Sequence, residues 1–422
     1  MAVGLYISVP FCRTKCSYCN FASDVFSRTL FQRYVNRLCS DIENGPAIAE
    51  QMGARYERLI DSIYLGGGTP SVLDVSQLEQ LFVTIRQNFD LEKDTEITVE
   101  CAPGTITAPL LDALCRCGVN RVSLGVQSFV DQEAAAVGRL HKRTTVLQNI
   151  QDLRTAGITN INIDLIAGLP HQTSESWDLS LAETIDTGVP HVSVYMLEVD
   201  DDSRLGREVI AGGTRYHAHF IPDDDAMADF YLAACQKLEQ AGIGQYEISN
   251  FSRPAFEARH NLKYWTRQPY LGFGVDAHSM LRASDDVYLL VEAAEGNRKD
   301  ECGGSGPCEA VNADVDAVRF STPDSLDDYL AGKPLKRIPV SRRSAIEESF
   351  FLGLRLIRGV DLQQLETEFG CEPIRRFTEN IEQFERDGLL DREGGVIRLS
   401  PRGRLLSNEV FESFILADKT VV

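Results

Sequence analysis

No apolar run in the 422-residue chain approaches the roughly 18 residues that a membrane-crossing helix needs. The opening residues, Met1-Ala2-Val3-Gly4-Leu5, carry no basic segment of the kind that begins a secretory leader, so a cytoplasmic location is expected. Positive charge is also in short supply. The 42 Lys and Arg face 62 Asp and Glu, a formal net charge of −20, which disfavours non-specific binding to phosphate backbones. Neither disorder nor a fibrous repeat fits a chain that is 43% hydrophobic and 25% charged. Cysteine, by contrast, is present in number. Eleven thiols, an odd count without secretory context, fit metal or redox chemistry better than a disulfide framework.

Short β-branched or aromatic runs at 5–10, 62–66, 96–100, 121–127, 160–166 and 191–197 alternate with segments of helical spacing such as Leu78, Leu81, Phe82, Ile85 and Phe89. Strict alternation implies parallel βαβ units with right-handed crossovers, hence an α/β fold with a partial parallel (β/α)6 barrel. The core is expected over residues 1–225. An extension with a further helix, about 224–241, follows over 226–282. An acidic, Gly-rich insertion is placed at 283–320, where Gly303-Gly304-Ser305-Gly306-Pro307 reads as an exposed, mobile loop. Helices at 345–357, 361–369 and 373–387 and a hairpin at 389–399 give a C-terminal winged-helix-like unit over 321–422. Twelve basic against 15 acidic residues in 341–422 make it a packing or partner surface rather than a nucleic-acid reader.

Cys12, Cys16 and Cys19 form CxxxCxxC in the loop after the first strand. Three thiolates so spaced hold three irons of a [4Fe–4S] cluster and leave the fourth open to an exogenous ligand. Three unrelated thiols, or a zinc knuckle short of one ligand, are the alternatives. Here the chain resembles the radical S-adenosylmethionine superfamily. The resemblance implies that the open iron chelates the amino and carboxylate groups of the cofactor and that reductive cleavage yields a 5′-deoxyadenosyl radical. Tyr6 and Tyr18 match cofactor-side aromatic positions.

In parallel barrels the site lies at the C-terminal ends of the strands, and each of the first five runs delivers a usable group there. Gly66-Gly67-Gly68-Thr69-Pro70 follows the second run, Glu100 ends the third, Gln127 ends the fourth, and Asp164 interrupts the apolar fifth. A buried carboxylate such as Asp164 requires a partner, and Arg139 is suited to clamp a carboxylate in bidentate fashion. A tight turn, cap or structural salt bridge would explain each of these singly. Together they match the cofactor contacts of the coproporphyrinogen dehydrogenase-like family: Gly67, Gly68, Thr69, Glu100, Gln127, Arg139 and Asp164. Ala102 stands where relatives often carry Asn.

Two marks select a branch. The dehydrogenase branch carries CxxxCxxCxC, but here Asn20 and Phe21 follow Cys19, and His260-Asn261-Leu262-Lys263-Tyr264-Trp265 is an HNxxYW motif. Both are typical of the HemW-type heme chaperone branch. That resemblance implies heme as cargo, an acceptor apoprotein, and an electron donor such as a flavodoxin or ferredoxin. The alternative is an oxygen-independent coproporphyrinogen III oxidase acting through a 5′-deoxyadenosyl radical. His260, Tyr264 and Trp265 are heme candidates, an imidazole for iron beside rings that cover a macrocycle, although His260 also reads as a buried histidine bonded to backbone. Cys302 and Cys308 fall in the insertion as a redox or metal pair or merely a surface loop. Cys39, Cys101, Cys115, Cys117, Cys235 and Cys371 read mostly as small buried hydrophobes.

Overall fold

The computed structural model describes residues 2–284 and 315–415. Six parallel strands form its centre: β1 (Val3–Val9), β2 (Leu59–Gly67), β3 (Asp90–Cys101), β4 (Arg121–Gln127), β5 (Asn160–Ala167) and β6 (His191–Met196), adjacent in chain order. Every segment between them contains a helix, as parallel pairing requires. One face of each strand is apolar. Leu5, Ile7 and Val9 of β1, Ile63 and Leu65 of β2, Val122 and Leu124 of β4, and Ile161, Ile163 and Leu165 of β5 are fully buried. They join one core with Leu78, Leu81, Phe82 and Ile85 of the helix Val75–Asn88. Each such side chain contributes about 1.5–3 kcal/mol relative to exposure.

The alternate positions of the same strands are polar: Tyr6 and Ser8, Ser62 and Tyr64, Thr98 and Glu100, Ser123, Asn162 and Asp164, Ser193 and Tyr195. The register sets Tyr6 beside Tyr64, Glu100 beside Ser123, and Asp164 beside Ser193. Paired residues of neighbouring strands share a face, so period two in sequence becomes a continuous polar inner wall.

The wall is extended at both edges. The hairpin of β7 (Gly244–Glu247) and β8 (Asn250–Ser252) adds antiparallel to β6. β9 (Tyr270–Phe273) lies parallel to β1, and β10 (His278–Arg282), β11 (Val315–Ser321) and β12 (Lys336–Ser341) follow antiparallel. The result is an open twelve-stranded sheet with the parallel partial barrel at its centre. Residues 315–320, assigned by composition to the insertion, are therefore strand: Val318 and Phe320 are buried between β10 and β12. β12 likewise belongs to this sheet although composition placed it with the C-terminal unit. Cys302, Cys308 and the Gly-rich tract lie outside the described residues.

Beyond β12 the C-terminal unit packs around Phe350, Phe377 and Phe414, whose rings lie 4.6–5.8 Å apart. Its first helix starts at Arg342, three residues before the expected 345, because the Ser341 hydroxyl accepts from Ser344 N–H and caps it. The helix expected over 373–387 is two, Cys371–Arg375 and Thr378–Arg386, with buried Phe377 at the break. The helix Leu362–Phe369 and a three-stranded sheet of β13 (Val360–Asp361), β14 (Leu390–Glu393) and β15 (Val396–Leu399) complete a winged-helix arrangement. Among the other cysteines, Cys39, Cys101 and Cys117 are buried as expected, whereas Cys115 and Cys371 are exposed on helix surfaces. No helix among the described residues is long and apolar enough to cross a membrane.

Candidate functional site

The cysteine loop leaves β1 and closes on itself. Cys12 N–H donates to Asp24 O and Asp24 N–H to Pro10 O, both at 3.0 Å, while Lys15 Nζ donates to the carbonyls of Phe21 and Ser23. Ser17 N–H reaches Val137 O at 3.2 Å and Thr14 Oγ1 reaches Gly138 O at 3.1 Å, which ties the loop to the segment that carries Arg139. Cys12, Cys16 and Cys19 are all free thiols within this one loop. Burial raises the Cys12 thiol pKa, hydroxyls of Thr69 and Ser23 oppose that, and the thiols of Cys19 and Cys16 add to it. Among the described residues no three His, Cys, Asp or Glu side chains converge on one point, as a single ion needs. A cubane cluster asks for something different, since each thiolate binds its own iron at a separate corner.

The glycine turn after β2 sits against this loop. Gly68 N–H donates to Val9 O at 2.9 Å and Thr69 N–H to Phe11 O at 2.8 Å, and Thr69 Oγ1 approaches Cys12 Sγ at 3.7 Å. A Cβ on Gly68 would lie 2.7 Å from Val9 O and 2.9 Å from Phe11 O, both backbone, so this position excludes any side chain.

Across the mouth stand the strand-end polar groups. Glu100 accepts from the Tyr64 hydroxyl at 2.7 Å. Burial pushes its carboxyl up to about 7; the Tyr64 hydrogen bond lowers it, Asp164 raises it, and Arg139 and the Gly67 N–H lower it. Asp164 accepts from Ser123 Oγ at 3.0 Å and Asn162 Nδ2 at 2.7 Å, and its carboxyl too is raised by burial against the pull of these donors. Arg139 Nη2 donates to the Tyr18 hydroxyl at 3.2 Å. The same Nη2 lies beside Gly125, where a Cβ would be only 3.2 Å away, and Gly125 is the register partner of Asp164.

Gln127 ends β4 at φ +69°, a left-handed conformation costly for a non-glycine residue, beside a register shift between Gly125 and Gln127. Its Oε1 and the Nε of Arg139 are buried without a protein partner, as is Ser17 Oγ. Buried orphans cost about 1–3 kcal/mol each, so the Gln127 and Arg139 side chains, which both flank Gly125, mark where a polar ligand belongs. Free thiols in one loop, a glycine turn packed tightly against that loop and these orphans fit a [4Fe–4S] cluster with S-adenosylmethionine. Tyr64 and Tyr195 were not singled out from sequence. Tyr195 lies near the end of β6 and exposes 42% of its surface.

The HNLKYW segment is the helix Arg259–Trp265, set against the inner face of β1 and β2 near their N-terminal ends, below Tyr6 and Tyr64, rather than at the mouth. His260 is 1% exposed. Its Nδ1 lies 3.1 Å from Ser62 Oγ and its Nε2 2.9 Å from the Tyr264 hydroxyl. With both ring nitrogens engaged and no approach for a macrocycle, His260 does not meet the expectation of a heme ligand. It braces the barrel, as does Lys263, whose Nζ donates to Asp61 and to Ala2 O. Tyr264 packs edge-on against Tyr270, and Trp265 lies under the guanidinium of Arg355 at 4.3 Å.

This architecture belongs to a known class. The family model for the radical SAM superfamily matches residues 6–183, and that for the HemN C-terminal domain matches residues 340–406. A heme chaperone HemW of Lactococcus lactis is 32% identical over 98% of this chain and 97% of its own length. The Bacillus subtilis heme chaperone HemW is 30% identical over 97% of this chain and 98% of its own. The structure of the coproporphyrinogen III oxidase HemN from Escherichia coli superimposes with a TM-score of 0.77, covering 98% of this chain and 90% of that one, at 23% identity, a likeness of fold alone. The chain belongs to the HemW family of radical SAM proteins, and that membership carries a [4Fe–4S] cluster and S-adenosylmethionine with it.

Proposed function

We propose that this chain is a heme chaperone that binds heme and passes it to an acceptor apoprotein. The observation that carries the reading is full-length similarity to relatives named for that role. Phe21 in place of a fourth cysteine, and the HNLKYW helix, agree with it.

Cys12, Cys16 and Cys19 hold the cluster in this reading. On the same reading Glu100 and Asp164 accept from the ammonium and hydroxyl groups of S-adenosylmethionine, and Arg139 receives its carboxylate. Gln127 supplies the unpartnered Oε1, Gly67, Gly68 and Thr69 the backbone cradle, and Tyr6 and Tyr18 the aromatic walls. Bound there, the two groups supply one-electron reductive chemistry, for which a flavodoxin or ferredoxin is the fitting donor class. A cytoplasmic setting suits that donor. The test is anaerobic reconstitution followed by incubation with hemin and an apo-cytochrome, with a parallel assay on coproporphyrinogen. Heme transfer without porphyrinogen turnover is the expected result. Turnover on the order of one per second, as ordinary enzymes achieve, would replace this reading with the oxidase.

A further inference from the structure

With His260 closed off, the imidazoles of His171, His217 and His219 gather around Phe220, while the exposed His278 stands apart on β10. The helix Arg204–Ala211 leans on the cysteine loop: Leu205 N–H donates to Ser17 O at 2.8 Å and Arg204 Nη1 to Lys15 O at 3.2 Å. Past it the chain folds back, and Glu208 accepts from the N–H groups of Tyr216 and Ala218 at 2.8–3.2 Å. Arg204, Arg207, Arg215, Glu208 and Tyr216 bound a recess of about 420 Å³. In a chain of net charge −20, three guanidiniums here face one carboxylate, and that carboxylate is committed to backbone. A second recess of similar volume runs from Arg204 and Arg207 to Cys19 and is lined by Asp24, Asp200 and Asp202 as well, so the recess that suits propionates is the first one. Beside this, His217 Nδ1 lies 3.3 Å from His171 Nε2, and both residues are left-handed, at φ +62° and +70°. Phe220, 47% exposed, has the His171 ring 4.0 Å and the His219 ring 4.1 Å from its own.

We propose that His217 ligates heme iron, with Phe220 against the macrocycle and the Arg207 and Arg215 recess receiving the propionates. The inference rests on the heme-chaperone reading and gives its cargo a site. A metal-bound histidine nearly always donates its other ring N–H to a fixed acceptor, which sets the tautomer and aims the lone pair. In the tautomer with the proton on His217 Nδ1, the His171 contact does this for His217 and leaves its Nε2 free for iron. Two imidazoles 3.3 Å apart cannot both serve one heme, whose axial positions lie on opposite faces, so His171 is the positioning residue. Guanidiniums pair with carboxylates in bidentate fashion, and the exposed part of the Phe220 ring offers apolar surface for a porphyrin edge. The site adjoins the cluster loop, so cargo and cofactors share one side of the barrel.

The experiment is a hemin titration of the reconstituted full chain followed at the Soret band, with iron content and circular dichroism checked in every variant. His217→Ala is expected to weaken binding at least about tenfold and shift the band; His171→Ala, acting through orientation, weakens it several-fold. Arg207→Ala with Arg215→Ala weakens binding with the band in place, and His278→Ala, an exposed histidine elsewhere, leaves both unchanged. Should His217→Ala misfold, His217→Met keeps the volume and offers a thioether, so its band must still move. Wild-type binding with an unchanged affinity and band in His217→Ala and His217→Met overturns the proposal. Failure of the wild type to bind hemin overturns the heme-chaperone reading instead, and this site with it.

Discussion

The Tyr64 hydroxyl donates to Glu100 Oε1 at 2.7 Å, which places an ordinary strand tyrosine in control of a strand-end carboxylate. Burial has raised that carboxyl to about 7, and the tyrosine is the largest of the groups holding it down. If Glu100 must be ionised to accept from the cofactor ammonium, S-adenosylmethionine affinity is full above pH 7. It falls about tenfold per unit below that. Removing the donor favours the protonated acid, so Tyr64→Phe moves the midpoint upward. A hydrogen bond to a charged group contributes about 1.5–3 kcal/mol, or about one to two pH units. Calorimetric binding curves from pH 6 to 8.5 test this. A midpoint that stays put in Tyr64→Phe would remove the tyrosine from the site, and Glu100→Gln should flatten the profile.

Cys12→Ala, Cys16→Ala or Cys19→Ala is each expected to abolish the brown chromophore and to drop iron and sulfide well below the roughly four of each that a full cluster brings. Cys115→Ala and Cys371→Ala, on exposed helix surfaces, leave the content unchanged. Full iron loading in Cys16→Ala would disprove the ligand set.

Gln127 carries both a backbone cost and an unpartnered Oε1. Relief of a left-handed non-glycine residue gains of order 1–3 kcal/mol, and glycine gives back roughly 0.5–1 kcal/mol in unfolded-chain entropy. Gln127→Gly is therefore expected to stabilise the ligand-free protein by about 1 kcal/mol while weakening S-adenosylmethionine binding. Urea midpoints with and without cofactor separate the two effects. A destabilised variant would mean that the side chain packs for stability rather than for a ligand.

Much of this site was legible because parallel strands must hand their C-terminal ends to one mouth. CxxxCxxC after β1, glycines after β2, and Glu100 and Gln127 at later ends could be named without coordinates of any kind. Tyr64 and Tyr195 were missed because tyrosine also suits a buried strand, although their spacing of two from Ser62 and Ser193 carried the inner-wall signal. The heme role for His260 failed for a different reason. The motif gives the local ring of aromatics, but Ser62, which occupies Nδ1, lies 198 residues away and no local pattern announces it. Residues 315–320 were assigned to the insertion because the strand there carries few apolar side chains, Val318 and Phe320 on one face and Ala317 on the other, and it is held by pairing with β10 and β12.

His260 makes the acid limb of stability a test of its structural role. Burial, aided by the neighbouring Lys263 charge, lowers its pKa to about 3 from an ordinary value near 6.5. Between those values the unfolded chain binds a proton that the folded chain refuses. Its contribution is thus fully present above pH 6.5 and is lost as pH falls toward 3, at about 1.4 kcal/mol per unit. His141, lowered to about 4 by burial and Arg139, and His191, lowered mainly by burial, steepen the same limb. His260→Gln keeps a polar group near Ser62 and Tyr264 but cannot titrate. It is expected to cost about 1–3 kcal/mol at pH 7 through imperfect hydrogen bonds. Between pH 6.5 and 5 it should reduce the slope by one proton's worth. Hemin affinity and the Soret band stay as in the wild type. A slope equal to that of the wild type, or a shifted band, would return His260 to the role of ligand.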